Sequence, residues 1–283
     1  MNTISLTNGV EIPILGFGTF QITDPTEAEN SVISAIQAGY RHIDTAQSYM
    51  NEEAVGRGIK NSGVPRKEIF VTTKIWVENT TYNGVLTSFE DSLNRLNMDY
   101  VDLLLLHQPY NDTFGAWRAM EKLLEQGKVR AIGVSNFSAD QIINLSTFNE
   151  VSPHVNQIEI NPFHQQSEYI NLLKDESIVP EVWAPFAEGM NNIFENETLK
   201  GIAEKYNKSV AQVILRWLVE QEIAVLAKTV RPERMKENLD VFDFSLDSED
   251  IELIGSLDQQ NSQFFDHKDP EIIKNMSTRK LDY

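Results

Sequence analysis

The stretch 101-VDLLLLHQP-109 decides the fold. Four consecutive leucines read as a strand buried on both faces, because a strand with one wet face alternates apolar and polar side chains. Such strands belong to parallel sheets covered by helices. The strand then ends on an ionisable ring, His107, followed by Gln108 and the chain-breaking Pro109. A buried strand gains no stability from a histidine at its tip. His107 is therefore either an ordinary structural histidine or a functional one, and the ends of the other strands decide between the two.

The pattern recurs along the chain. Strand cores are predicted at 14–17, 42–44, 70–74, 102–106, 131–134, 155–158, 182–184 and 224–227. All but the last are separated by enough chain for one helix and two loops. The last interval holds two helical segments, 197-ETLKGIAEKYN-207 and 209-SVAQVILRWLVEQ-221. Eight such units predict an α/β fold, a closed (β/α)8 TIM barrel, with residues 1–283 as one domain. Upstream, 4-ISLTNGVEIP-13 reads as a β-hairpin turning at Asn8-Gly9 and closing the bottom of the barrel. The tail after Gln259 is expected to pack over the active-site face as an extended loop with a short helix. Helix starts are marked by Asp24-Pro25 with Glu27, and by Ser138 with Gln141; Gly39 suits a helix stop. An open dinucleotide-binding sheet would need three spaced glycines after its first strand, and 16-GFGTFQ-21 has only the first two.

Composition narrows the function classes. The chain has 283 residues, 41% hydrophobic and 23% charged, which is globular. No apolar run approaches a membrane span. The first residues, MNTISLTNGVEIP, lack the basic and apolar regions of a signal peptide, so a cytoplasmic location is expected. There is no cysteine, which removes disulfides, thiol nucleophiles and cysteine-held metal. A formal net charge of −18 repels nucleic acid and anionic membranes, so neither is an expected partner.

In a barrel of this kind the active site lies at the C-terminal ends of the strands. Strand 42–44 ends in Asp44, strand 70–74 in Lys74 and strand 102–106 runs into His107, while Tyr49 follows Asp44 on the adjoining loop. Singly, each has a plain explanation: Asp44 as a helix cap, Lys74 as a solvated cation, Tyr49 as a loop anchor. Together at one rim, on strands about 5 Å apart, they can converge. An ammonium beside a phenol favours the phenolate and lowers the tyrosine below its usual value of about 10. A carboxylate keeps the lysine charged, and an imidazole can orient a carbonyl oxygen. This apparatus protonates an oxygen while something else attacks the carbon.

Over essentially its full length the sequence resembles the aldo-keto reductase superfamily. The motifs that carry the resemblance are 39-GYRHIDTAQSYMNEEAVG-56, 72-TTKIW-76, VDLLLLHQP itself, 132-IGVSNFS-138, 155-VNQIEINP-162 and 231-RPERMKENLDVFDF-244. The resemblance implies a catalytic tetrad of Asp44, Tyr49, Lys74 and His107, with Tyr49 as general acid in carbonyl reduction and NADPH as hydride source. It implies that Ser135, Asn136 and Gln157 hold the nicotinamide carboxamide, that Trp183 stacks on the nicotinamide ring, that Lys228, Thr229 and Arg234 grip the 2′-phosphate, and that Glu237 and Asn238 meet the adenine. Phe20, Trp76 and Gln108 would line the substrate pocket, with Phe264 and Phe265 as further candidates from the tail. A small carbonyl substrate, no metal and a monomer complete the implied picture.

Three features depart from the commonest pattern. Gln108 stands where many members carry tryptophan, predicting a pocket better able to hydrogen-bond a polar substrate. The segment 226-LAKT-229 replaces a frequent IPKS. The segment 187-AEGMNNIFENE-197 is short, leaving little chain to fold over a cofactor. Other readings compete. One is a cofactor-sensing binding subunit without significant turnover, and another is a barrel enzyme using Lys74 as a Schiff base. A short-chain dehydrogenase would need a lysine four residues after a tyrosine, which none of the eight tyrosines has. His154 and His164 lie outside usual zinc spacings and are expected as surface or loop histidines.

Overall fold

The computed structural model describes residues 2–282. The leucine run forms a strand, β6 in the order below, with both faces covered. Leu103 and Leu105 point into a barrel, against Phe70, Ala131, Val155, Val179 and Ala224. Leu104 and Leu106 point outward into the larger core shared with the surrounding helices. The strand needs four leucines because neither face meets water.

Eight parallel strands close the barrel: β3 (Leu15–Gly18), β4 (His42–Asp44), β5 (Phe70–Ile75), β6 (Val101–Leu106), β7 (Val129–Ser135), β8 (Val155–Glu159), β9 (Val179–Trp183) and β10 (Ala224–Ala227). Closure is made by β10, which pairs with both β9 and β3. The helices between successive strands include α1 (Pro25–Ala38), α2 (Glu52–Asn61), α3 (Tyr82–Leu96), α4 (Thr113–Glu125), α5 (Ala139–Thr147) and α6 (Ser167–Asp175); α7 (Glu197–Tyr206) and α8 (Val210–Val219) fill the long last interval. Helix α1 begins as its sequence predicts, with Glu27 N donating to Asp24 Oδ1 at 2.8 Å, and stops at Gly39, whose φ of +121° suits glycine. At α5, Ser138 N donates to Gln141 Oε1 at 3.0 Å.

The hairpin of β1 (Thr3–Ser5) and β2 (Glu11–Pro13) pairs antiparallel. Its Leu6 and Ile12 join the apolar cluster inside the barrel and close its N-terminal end. After α9 (Pro232–Leu239) and α10 (Ser248–Gly255), the tail runs across the opposite end. Ser262 Oγ and Gln263 N donate to the carboxylate of Glu159 at 2.6 and 2.9 Å, Tyr110 Oη donates to His267 O at 2.7 Å, and Trp76 Nε1 donates to Arg279 O at 3.0 Å. The tail ends in a short helix, α11 (Pro270–Thr278). No helix among the described residues is long and apolar enough to cross a membrane.

Two expectations need correction. The strand expected at 182–184 spans Val179–Trp183; Pro180 and Glu181 look like loop residues in sequence, yet Glu181 is fully buried. His154 does lie in a loop, but it is buried at 3% exposure, with Ile132 O 2.9 Å from its Nδ1. That contact replaces hydration and lets a histidine sit among apolar strands.

Candidate active site

Neighbouring parallel strands bring successive ends to one rim. In register, Asp44 pairs with Thr72 and Lys74 with Leu105, so the two charges point into the barrel from adjacent strands. Lys74 Nζ donates to Asp44 Oδ1 at 2.6 Å, to Oδ2 at 2.7 Å and to Thr45 O at 3.0 Å. It also lies 3.2 Å from Tyr49 Oη. Lys74 has no exposed surface and Asp44 only 2%. Such a pair persists only because each charge is matched by the other and by further polar contacts.

Tyr49 reaches the lysine from a short turn, Gln47–Tyr49, that ends with Met50 in the left-handed region at φ 57°. Three side chains hold that turn. Gln47 Oε1 accepts from Trp76 N at 2.9 Å while its Nε2 donates to Ser88 O and Ser92 Oγ on α3. Asn51 donates to Thr19 O and Ile22 O and accepts from Thr45 Oγ1. Glu52, almost fully buried, accepts from Thr73 Oγ1 at 2.6 Å and Arg95 Nε at 2.7 Å. Sequence reading passed over all three, although they stand beside Tyr49 in the motif; polar residues at a helix start look like ordinary caps.

His107 stands across from the phenol, its ring centroid 5.7 Å from that of Tyr49 and 5.3 Å from that of Trp76. Its Nδ1 lies 3.3 Å from Ser48 Oγ, leaving Nε2 for a substrate oxygen. Burial, reinforced by the charges of Lys74 and Arg279, holds His107 well below the usual histidine range, so the ring is neutral. Burial is also the largest influence on Lys74, pulling it down, but Asp44 and Tyr49 together outweigh it and keep the ammonium charged. Tyr49 behaves differently from the sequence expectation. Lys74 does favour its phenolate, but burial is larger and the charge of Asp44 adds to it, so the hydroxyl is pushed up to about 12. The group is a held proton rather than a ready anion.

The residues singled out for cofactor contact divide into two groups. Ser135, Asn136, Gln157 and Trp183 form one connected set. Ser135 Oγ donates to Gln157 O at 2.8 Å; Asn136 Nδ2 donates to His107 O at 3.1 Å and Asn136 Oδ1 accepts from Trp183 Nε1 at 2.9 Å. The half-buried Trp183 ring lies 5.2 Å from Phe264 of the tail. Gln157 Nε2 donates to Asp44 Oδ2 at 3.1 Å and to Glu181 Oε2 at 2.7 Å. The second group lies around α9: Lys228 and Arg234 are exposed, Thr229 and Glu237 are half-buried, and Asn238 is buried beside Tyr40. Among the described residues neither Lys228, Arg231 nor Arg234 has a carboxylate partner, whereas cations such as Arg57, Lys205, Lys208 and Arg216 do. Thr229 Oγ1 accepts from Arg231 N at 3.2 Å.

Around the tetrad, Phe20 is 48% exposed with its ring 5.0 Å from that of Tyr49. Trp76 is buried between His107 and the tail. Gln108, next to His107, is 5% exposed, and its buried Oε1 has no hydrogen-bond partner among the described residues. The short segment 187–197 still reaches across the rim, with Gln21 Nε2 donating to Glu188 Oε2 at 3.1 Å.

Sequence reading also missed the groups beneath the tetrad. Glu181 and His42 are fully buried inside the barrel, His42 Nε2 lying 2.9 Å from Thr72 Oγ1 and 3.8 Å from Glu181 Oε1. Burial, with the charge of Lys74, lowers His42 to about 3, so it too is neutral.

Comparison with known proteins agrees with this geometry. The family model described as the aldo/keto reductase family matches residues 14–259. A protein of Bacillus subtilis (strain 168) named glyoxal reductase is 47% identical over 259 residues, 91% of this chain and 93% of that protein. The crystal structure of an aldo-keto reductase from a deep-sea metagenome library superposes with a TM-score of 0.91 at 42% identity, covering 94% of this chain and 98% of that one. The Bombyx mori aldo-keto reductase in complex with NADP superposes with a TM-score of 0.90 at 33% identity, covering 97% of each chain.

Proposed function

Because the chain belongs to the aldo/keto reductase family, we propose that it reduces aldehydes and ketones to alcohols with NADPH, Tyr49 giving the proton. The observation that carries this reading is the buried contact of Tyr49 Oη with Lys74 Nζ at 3.2 Å, beside a neutral His107.

The chain's own residues fit the cofactor. The unpaired cations Lys228 and Arg234, with Thr229, offer a 2′-phosphate what it needs, including the planar fork of arginine. Glu237 and Asn238 follow on the same helix for the adenine. Gln157 spends both N–H groups on carboxyls, so its Oε1 is the acceptor it can offer to a carboxamide, next to Ser135 and Asn136. Trp183 offers a ring face. The Bombyx mori relative binds NADP, which supports the same choice here. When bound, NADPH supplies a hydride to the carbonyl carbon.

The remaining steps belong to the protein. His107 Nε2 donates to the carbonyl oxygen and orients it. Tyr49 transfers its proton to that oxygen as negative charge builds there. The phenolate left behind faces the Lys74 ammonium, which Asp44 holds in place, and solvent restores the proton. Phe20 and Trp76 flank the opening. Every group named comes from one chain, so a monomer suffices.

Titration of tryptophan fluorescence with NADPH and, separately, NADH tests the reading, followed by turnover on glyoxal, the substrate in the name of the Bacillus subtilis relative, and a panel of small aldehydes. Quenching at low NADPH with oxidation on adding a carbonyl is expected. Tight binding without turnover on any carbonyl would replace the reductase with a cofactor sensor.

A further inference from the structure

The tail beyond residue 259 lies outside the residues matched by the family model, yet it builds part of the rim. Helix α11 sets Ile273 and Met276, with Leu281 after it, against Trp76, Val77 and Tyr110. Three hydrogen bonds pin the segment: Tyr110 Oη to His267 O, Trp76 Nε1 to Arg279 O, and Leu281 N to Glu78 Oε1 at 2.9 Å. Arg279 is thereby fixed at its backbone while its side chain turns to the opening. The guanidinium lies 5.4 Å from the Trp76 ring centroid, and Nη2 lies 3.4 Å from Ser48 O, the residue before Tyr49. Ser48 in turn touches His107.

We propose that Arg279 selects carbonyl substrates bearing a carboxylate, holding that carboxylate at the mouth of the Tyr49 pocket. The proposal rests on the reductase reading above. Among the described residues Arg279 has no carboxylate of its own; the nearby Glu78 is engaged by Leu281 N and by Lys280 at 3.4 Å. One contact to Ser48 O leaves most of the five N–H groups of the fork free, in the geometry that binds a carboxylate bidentately. The Trp76 ring lies within cation–π distance of the guanidinium and backs it on one side. The need is real: a chain of net charge −18 repels an anionic substrate, and a cation at the rim offsets that locally. A contact path of Tyr49, His107, Trp76 and Arg279 spans a few side chains, which suits a small oxo acid.

The test uses the full-length protein with 4-oxobutanoate and its methyl ester, probes that differ in charge at one end. In Arg279→Met the ratio of kcat/KM for acid over ester is expected to fall about tenfold, through KM rather than kcat, with partial recovery in Arg279→Lys. Raising salt should weaken the acid and spare the ester in the wild type. An unchanged ratio, including equal loss on both probes, overturns the role of Arg279 while leaving the reductase intact. Tryptophan fluorescence reads binding of the same probes without turnover. Tighter binding of the acid, lost in Arg279→Met, keeps Arg279 as the carboxylate anchor even if neither probe is reduced, and the reductase reading falls only if glyoxal and the aldehyde panel are not reduced either. Equal binding of acid and ester overturns the proposal whatever the turnover.

Discussion

Glu181 accepts a hydrogen bond from Gln157 Nε2 at 2.7 Å in the middle of the barrel, where neither side chain meets solvent to any extent. The same nitrogen reaches Asp44 at 3.1 Å, so one amide separates two carboxyl groups. Burial, then the charge of Asp44, pushes Glu181 up to about 8 from an ordinary 4.5. The folded protein therefore holds a proton there that the unfolded chain has released, across the window from about 4.5 to about 8. Stability falls as pH rises through that window. Glu181→Gln keeps the shape and removes the titration. Relative to wild type it should be about 2 to 4 kcal/mol more stable near pH 8 and level with it near pH 4.5. Urea denaturation at several pH values measures this, and a difference independent of pH would show that Glu181 is ionised throughout.

Glu181 also shows where the sequence stops being legible. The barrel could be read because the leucines of β6 fill both of its faces, because short apolar stretches recur at the spacing of one strand and one helix, and because helices such as α1 and α5 carry their own start signals. The meeting of Asp44, Lys74 and His107 could be read because they close successive strands, with Tyr49 on the loop after Asp44, while their grouping as a tetrad rests on the family resemblance. Strand β9 was entered three residues late, since proline and glutamate at 180–181 carry loop signals and only a polar partner inside the barrel explains a glutamate there. Gln47, Asn51 and Glu52 were passed over for the same reason: their partners lie on α3, β5 and the β3–α1 loop, distant in sequence. The raised hydroxyl of Tyr49 could not be read either. Motif spacing names the lysine that lowers it but is silent on the burial that outweighs the lysine.

Tyr49→Phe removes the proton donor and almost nothing else. The ring keeps its contacts with Phe20 and His107. Carbonyl reduction should fall by roughly 10²- to 10⁴-fold, with NADPH affinity nearly unchanged. Steady-state turnover beside a fluorescence titration separates the two effects. Retention of most of the activity would move the acid role away from Tyr49.

Lys74→Met leaves Asp44 buried with its bidentate partner gone. Breaking one side of such a pair costs about 3 to 5 kcal/mol. Replacing both, Asp44→Leu with Lys74→Met, should recover much of that loss, because two apolar side chains need no counter-charge. Denaturation midpoints of the two single variants and the double variant form the cycle. Additive losses would mean that the two side chains do not stabilise each other. Reduction should be lost in the two variants that lack Lys74, since the phenolate of Tyr49 then has no cation to face, and weakened in Asp44→Leu, where Lys74 loses the carboxylate that holds it.

Arg234 lies exposed on α9 and Lys228 exposed just after β10, and neither is paired with a carboxylate among the described residues. An exposed cation contributes little to stability, so Arg234→Ala should fold as well as wild type. It should weaken NADPH by about tenfold, as the loss of a charge-assisted fork to a phosphate does. NADH lacks the 2′-phosphate and should bind the variant and wild type alike. Raising salt should reproduce part of the NADPH loss in the wild type and little of it in the variant. Parallel titrations with the two cofactors decide the matter: equal weakening of NADPH and NADH would place Arg234 against some other part of the cofactor, and unchanged affinity for both would remove it from the site.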